Sequence, residues 1–251
     1  VLAEVGNLYN VAHFYFRTLF YECRTMEFPS CLDILALRAK GCAVVVNFRG
    51  HEVRLQGKFK ELNPFHYAND NPIPPAVKNF TEETQKKYIE FLKAVSSGLT
   101  VVDPELGSFV PEAKVIPRAI DLDIWKYVGI NKKNQIPLIV HAPTKQDSKG
   151  TAYVNEAINE LRNEGYKFKY KIISGLSNKE AKENYVNADI IIDQLRIGWY
   201  GVLSIEAMAL GKPVICYLRE DLHNTFGTDG LPLEHATPIS IKAKIKKLIV
   251  N

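Results

Sequence analysis

The sequence predicts an α/β protein of two parallel-sheet units, and three features carry that reading. Short runs that are apolar throughout recur along the chain: IPLIV at 136–140, ADIIID at 188–193 and PVICY at 213–217. Amphipathic stretches of helical period separate them, and a polar connecting segment, RAIDLDIWKYVGINKKNQ, divides this regular half from a less regular one before it. Strands that are apolar on both faces and separated by one helix each belong in a parallel sheet, because right-handed crossovers lay helices on both sides of it.

In the first half, LDILALRAKG (32–41) reads as a helix closed by Gly41, and CAVVVNF (42–48) as the buried strand that follows. From about residue 55 to residue 79 the chain carries Pro64, Pro72, Pro74 and Pro75, which predicts a long mobile loop. TEETQKKYIEFLKAVSS (81–97) has a Thr81 start and acidic residues in its first turn, the marks of a helix N-terminus. LTVVD (99–103) and AKVIP (113–117) are short strands. This makes about three strands, fewer than a full doubly wound domain holds. The first unit, 1–122, is therefore expected to be incomplete and the chain to belong to a longer protein, with 123–251 as the second unit.

The second half alternates regularly. After IPLIV come a helix at 151–165, the strand FKYKIIS (168–174), a short helix at 178–187 and the strand ADIIID. The helix VLSIEAMALG (202–211) and the strand PVICY then follow. The tail IKAKIKKLIV (241–250) sets Ile241, Ile245, Leu248 and Ile249 on one face and lysines opposite. That pattern suits a docked, solvated helix, with peripheral contact at the inner face of a membrane as the alternative.

With 46% hydrophobic and 24% charged residues, a chain of 251 can bury two real cores. No apolar run reaches the length needed to cross a bilayer, and residues 1–30 lack the three-part pattern of a secretory signal, so a cytoplasmic location is expected. The four cysteines show no C-x-x-C spacing and read as reduced thiols; the six histidines show no metal-ligand spacing, so no metal is expected. A net charge of +4 is too weak to imply nucleic acid, although it suits an anionic substrate.

Chemistry concentrates where strand 188–193 meets helix 202–211. The loop between them starts at Asp193 and Gln194, and its last residues, Gly198, Trp199, Tyr200 and Gly201, lead into Val202 without a Ser, Thr, Asp or Asn cap. Free N–H groups at the positive end of a helix form a phosphate site, and glycines let the backbone approach the ligand. Glu206 sits about one turn inside an otherwise apolar helix, and helical side chains lean toward the N-terminus, so its carboxylate can reach this mouth and accept hydrogen bonds from a ribose diol. In HAPTKQDSKGT (141–151), Lys145 and Lys149 occupy the loop after the preceding strand, on the same edge of the sheet, where either ammonium can meet a diphosphate. Arg49 follows the buried strand 42–48, the place of a ligand-facing residue in such sheets. His13 and His51 read as packing or loop residues, and Trp199 and Tyr200 as closing the loop against the core, with stacking on the bound nucleotide as their alternative role.

KGT before a helix, ADIIIDQ, GWYG and EAMALGKPV together resemble the donor-binding domain of the GT-B glycosyltransferases, of the retaining family 4 type. HFYFRTL (13–19) and VVVNFRGHEVR (44–54) resemble that family's acceptor-side strands, and VIPRAIDLDIW (115–125) its interdomain linker. The resemblance implies a GT-B-like fold of two Rossmann-like domains, a nucleotide-diphosphate sugar as donor, no metal or other cofactor, and a saccharide or lipid-linked acceptor. It also implies that Glu206 binds the ribose and Lys149 the diphosphate. The family's acid pair is spaced E-x7-E, but the position eight before Glu206 is Gly198; Asp193 or Gln194 is then the candidate for hydroxyl binding. Arg49 stands where the family has a histidine.

The activity expected is hexosyl transfer to an acceptor alcohol in polysaccharide or glycoconjugate synthesis. Lys149, Lys145 and Arg49 are the candidate catalytic residues. A sugar-nucleotide epimerase of this architecture and a sugar-nucleotide-binding subunit without turnover are the rivals, the second suggested by the glycine at 198.

Overall fold

The computed structural model describes residues 2–16, 31–68, 81–130, 136–226 and 230–250. Their contacts fall into two units, Val1–Leu62 with Pro72–Arg118, and Asn63–Asn71 with Ala119–Asn251. The first unit runs α1 (Leu2–Leu8), β1 (Val11–Tyr15), α2 (Leu32–Ala39), β2 (Ala43–Phe48), α3 (Gln56–Leu62), α4 (Glu82–Val95), β3 (Gly98–Val101), α5 (Pro104–Gly107) and β4 (Lys114–Val115). Its four strands pair in parallel in chain order.

Alternation along β2 buries Val44, Val46 and Phe48 completely, together with Ile34 and Leu37 of α2 and Tyr88 and Leu92 of α4. The Tyr88 hydroxyl does more than fill space. It donates to the Phe16 carbonyl at 2.8 Å and accepts from Cys31 Sγ at 3.3 Å. Phe16 and Cys31 both have φ of 51°, a left-handed conformation that costs energy in a residue with a side chain, so one buried phenol holds both strained positions. At the start of α4, Thr81 Oγ1 accepts the Thr84 N–H at 3.1 Å, as the sequence signal implies.

Two expectations for this half need correction. The stretch read as loop from about residue 55 contains α3, which buries Phe59 and ends just before Pro64; seven residues with a glycine among them give too short a periodic pattern to stand out. The sheet also has four strands where about three were expected, since β1 has only five residues and only Phe14 of them is buried. Residues 17–19 of the HFYFRTL stretch, Cys23 and the prolines at 72, 74 and 75 lie outside the described residues.

The second unit runs β5 (Leu138–His141), α6 (Gln146–Lys149), α7 (Thr151–Asn163), β6 (Lys169–Ile172), α8 (Asn178–Asn187), β7 (Ile190–Ile192), α9 (Val202–Ala209), β8 (Val214–Cys216), α10 (Glu220–Phe226), β9 (Leu233–His235) and α11 (Ile241–Val250). The strands are all parallel in the order β6-β5-β7-β8-β9. The chain steps from β5 outward to β6 and then back across β5 to β7, so the winding reverses between β5 and β7, and a ligand crevice belongs outside their carboxyl ends.

The uninterrupted apolar runs are explained by two cores, one on each face. Ile190 and Ile192 join Ile139, Ile215 and the buried sides of α7 and α11, while Ile191 joins Val140, Val214 and the buried sides of α8 and α9. The lysines of α11 are taken up within this unit: Lys242 pairs with Glu160 and Glu164, Lys246 with Glu164, and Lys244 and Lys247 with Glu234. Cys31, Cys42 and Cys216 are buried free thiols. Among the described residues no helix is long and apolar enough to cross a membrane.

Candidate functional site

At the carboxyl end of β7 the chain buries a carboxylate. Asp193 has no exposed surface, and its pKa reflects opposing pulls: burial pushes it up, but Lys149 and the bonds from Ser204 and Gly201 outweigh that and hold it below the usual carboxylate range. Its Oδ1 accepts from Lys149 Nζ at 2.6 Å, and its Oδ2 accepts the Gly201 N–H at 2.9 Å and the Ser204 hydroxyl at 2.6 Å. Gln194 Oε1 accepts a second bond from Lys149 at 2.8 Å, and Gln194 Nε2 donates to the Trp199 carbonyl. One carboxylate thus ties β7 to the end of α6 and the start of α9.

The geometry gives three of the expected site features a task inside the protein. Asp193 and Gln194 are buried and hold Lys149. The N–H of Gly201, the cap residue of α9, is not free, because Asp193 reaches it from eight residues earlier. No side chain caps the amides beyond it, and the first carbonyl of the helix is used by Ile205 N–H at 3.3 Å. Gly198 has a packing reason for being glycine: its φ is +100°, and a Cβ there would lie 2.7 Å from Cγ of the buried Arg219. Gly201 has ordinary dihedrals but little room, since a Cβ would sit 3.1 Å from Asp193 Oδ2 and 3.6 Å from Lys149 Nζ.

The loop is braced from inside. Trp199 is buried and stacks on Tyr200 with ring centroids 5.0 Å apart, and the Arg219 N–H donates to the Gly198 carbonyl at 2.9 Å. Arg196, also buried, donates to the carbonyls of Phe65 and His66 at 3.1 and 2.6 Å, and Asn63 returns bonds to the carbonyls of Arg196 and Ile197 at 3.0 and 3.1 Å. Val202, the first residue of α9, is exposed.

Glu206 is only partly exposed, and among the described residues no side chain or amide hydrogen-bonds or ion-pairs with its carboxylate. Burial, with the nearby Asp193 charge second, raises its pKa to about 7. A half-buried acid with no protein partner, next to an uncapped helix start, can accept hydrogen bonds from outside. Tyr185 of α8 feels the Glu206 charge and also lines a cavity of about 380 Å³ at the carboxyl ends of β5 and β6, with Ala142, Thr144, Ser174, Gly175 and Asn178. Lys149 and Glu206 are not in that lining; Tyr185 is the side chain shared between the cavity and the surroundings of Glu206.

Lys149 ends α6, its side chain 13% exposed, while Lys145, exposed, is the cap residue of the same short helix, with no side-chain bond among the described residues. Arg49 belongs to the first unit, where its exposed guanidinium lies 5.1 Å above the Tyr15 ring and its N–H is bonded by Glu52. His51 Nδ1 lies 3.5 Å from Arg54 Nη1, and Arg54 forms a buried double hydrogen bond with Glu105 at 2.9 and 2.6 Å. Sequence reasoning passed over His141, Ser204 and Arg196. Of these His141 carried a signal, as a polar residue ending an apolar strand before the lysine loop. Among the described residues no group of three or more His, Cys, Asp or Glu is placed to hold a metal ion.

No protein-family model matches the chain, and no curated protein matches it. Solved structures do. Sucrose-phosphate synthase from Thermosynechococcus elongatus is similar at a TM-score of 0.61 and 14% identity over 99% of this chain and 67% of that one. A trehalose-6-phosphate synthase gives 0.54 and 10% over 96% and 69%. The UDP-forming α,α-trehalose-phosphate synthase from Burkholderia xenovorans gives 0.51 and 13% over 98% and 67%. The chain thus spans about two thirds of the length of these proteins. At such identities the likeness is one of fold, and the fold is GT-B-like: two Rossmann-like parallel-sheet units.

Proposed function

We propose that this chain is the catalytic part of a glycosyltransferase that takes a hexosyl group from a nucleotide-diphosphate sugar and gives it to an acceptor alcohol. The observation that carries the reading is Glu206, a partly buried carboxylate without a partner among the described residues, set one turn behind an uncapped helix start that Lys149 adjoins. Ribose hydroxyls would supply the hydrogen bonds that Glu206 lacks, and the diphosphate would meet the Lys149 ammonium and the first amides of α9.

Catalysis on this reading is mainly electrostatic. As the bond from the anomeric carbon to the diphosphate breaks, negative charge grows on the leaving oxygen, and preorganised donors stabilise it without having to reorient. Lys145, exposed near Lys149, would add a second positive charge, and Arg49 is the acceptor-side candidate by resemblance. Retention of configuration, independence from metal, a cytoplasmic location and a role in polysaccharide or glycoconjugate synthesis complete the proposal. The lysines of α11, each paired with a glutamate of this unit, offer little support to membrane contact.

A sugar-nucleotide-binding subunit without turnover is the second reading, favoured by Gly198, whose φ of +100° and contact with Arg219 leave no room for the acid the family places there. An epimerase is disfavoured: His141, the histidine at the crevice, has no exposed surface and both ring nitrogens engaged. The test is a thermal-shift screen against nucleotide sugars followed by a transfer assay with the best donor. A ligand present at a hundred times its Kd stabilises the fold by about 2.7 kcal/mol, an easily measured shift. Transfer to an added alcohol supports the first reading, binding without turnover the second, and a shift that Glu206→Ala leaves intact removes the ribose assignment.

A further inference from the structure

The Lys149 ammonium is gripped from two sides, by Asp193 Oδ1 at 2.6 Å and Gln194 Oε1 at 2.8 Å. Both acceptors are buried, Asp193 at 0% and Gln194 at 5% exposure. Lys149 therefore has surface to offer a ligand, and Asp193 has none. An ammonium carries three N–H donors, so one remains. Nζ stands 3.6 Å from where a Cβ of residue 201 would be, beside the start of α9, and the remaining N–H serves whatever binds there.

The placement of the acid is informative. An Asp or Ser at position 201 would cap α9 by itself; here the cap residue is glycine, and the carboxylate comes from the end of β7. From there Oδ2 holds the Gly201 N–H and the Ser204 hydroxyl while Oδ1 holds the lysine, so the distance between ammonium and helix start is set by a single rigid group. We infer that Asp193 is a positioning residue: it aims the Lys149 ammonium at the start of α9, where the anionic part of the ligand is bound. This rests on the reading of Lys149 as the diphosphate-binding cation and adds the group that makes it one.

Asparagine at 193 separates the two tasks. Its oxygen can still accept from Gly201 and Ser204, but its NH2 group then faces the ammonium, donor against donor, and dislodges it. Inorganic pyrophosphate is the probe, because it needs neither base nor sugar contacts, with affinity measured by calorimetry on the whole chain. Lys149→Met and Asp193→Asn should each weaken pyrophosphate binding about tenfold or more, since a displacement of about 1 Å at a positioned group is that costly. The double variant should bind no worse than Lys149→Met alone, because Asp193 acts only through the lysine. Ser204→Ala, which removes another partner of Asp193 but leaves the lysine bond, should bind as the native chain does.

Native affinity in Asp193→Asn, or losses that add in the double variant, overturns the inference while leaving Lys149 as the cation. Absence of pyrophosphate and nucleoside-diphosphate binding by the native chain withdraws the Lys149 reading, and the inference with it. Should Asp193→Asn fail to fold, Gln194→Met removes the second bond to the ammonium together with the bond to the Trp199 carbonyl, and the Lys149→Met background separates the two. A loss of a few fold that vanishes in the Lys149→Met background then supports the inference, and unchanged affinity overturns it.

Discussion

His141 Nε2 and the Thr151 hydroxyl lie 3.0 Å apart inside the second unit, joining the end of β5 to the first residue of α7. The other ring nitrogen lies 2.9 Å from the Ile192 carbonyl, an acceptor, so Nδ1 carries the proton and Nε2 accepts from Thr151. The ring therefore spans β5, β7 and α7 in its neutral form. Replacing it by leucine leaves the Ile192 carbonyl and the Thr151 hydroxyl without this partner, an expected loss of about 1–3 kcal/mol measurable by urea unfolding. Burial holds the His141 pKa below its ordinary value, so the unfolded chain binds a proton more readily. The stability it contributes is present above the unfolded pKa and is lost as pH falls below it. The native chain should accordingly weaken on acidification from about pH 6.5, and His141→Gln should show a shallower fall over the same range.

Glu206 titrates in the opposite sense. Its pKa of about 7 lies above the ordinary value of 4.5, so the folded state favours the protonated acid. Its contribution is complete below pH 4.5 and lost as pH rises through 7. Glu206→Gln should raise the melting temperature by roughly 2–4 °C at pH 8 and change it little at pH 4.5. A ligand whose hydroxyls donate to the carboxylate needs the ionised form. Nucleoside-diphosphate affinity should then fall as pH drops below 7, whereas pyrophosphate, lacking a ribose, should not follow that curve. Parallel curves for the two ligands would count against the ribose assignment.

The two glycines of the loop should respond differently to alanine. At Gly198 the φ of +100° and a contact of 2.7 Å with Arg219 both oppose a side chain, so Gly198→Ala should cost about 2 kcal/mol or more, read from its denaturation midpoint. At Gly201 the backbone is ordinary and the nearest atom is a carboxylate oxygen at 3.1 Å. Gly201→Ala should keep most of the stability and lose nucleotide affinity, because the methyl group crowds the space between Lys149 and the helix start.

The α11 lysines make a further case. Each pairs with at least one glutamate of its own unit, so the basic stripe in IKAKIKKLIV presents less free charge than its sequence suggests. Cosedimentation with vesicles containing anionic lipid at about 0.15 M salt should leave the chain in the supernatant, surface charges being strongly screened there. Substantial binding that Lys246→Ala and Lys247→Ala together abolish would restore the membrane reading.

What the sequence made legible follows from range. Ile190 to Ile192 had to be a strand covered on both sides, and Val154, Ala157, Ile158 and Leu161 had to form one helix face, because those patterns repeat within a few residues. Glu206 stood out for a similar local reason, a charge among apolar neighbours. Asp193 was legible as a polar residue at a strand end but not in its task, because its partners lie 44, 8 and 11 residues away and only the sheet brings them together. β9 escaped notice for another reason: Leu233–His235 is three residues long and none of them is buried, so neither length nor apolarity marked it. The packing demand at Gly198 depends on Arg219, which no local pattern links to it.

A largely buried lysine paired with a buried aspartate seldom stabilises a protein more than two hydrocarbon side chains of equal size would. Drift should therefore replace such a couple with oil wherever its task has lapsed. Among descendants of this chain, those reading Met or Leu at 149 and 193 together are expected to have given up their ligand, and that paired change offers a way to tell retired copies from working ones by reading their genes.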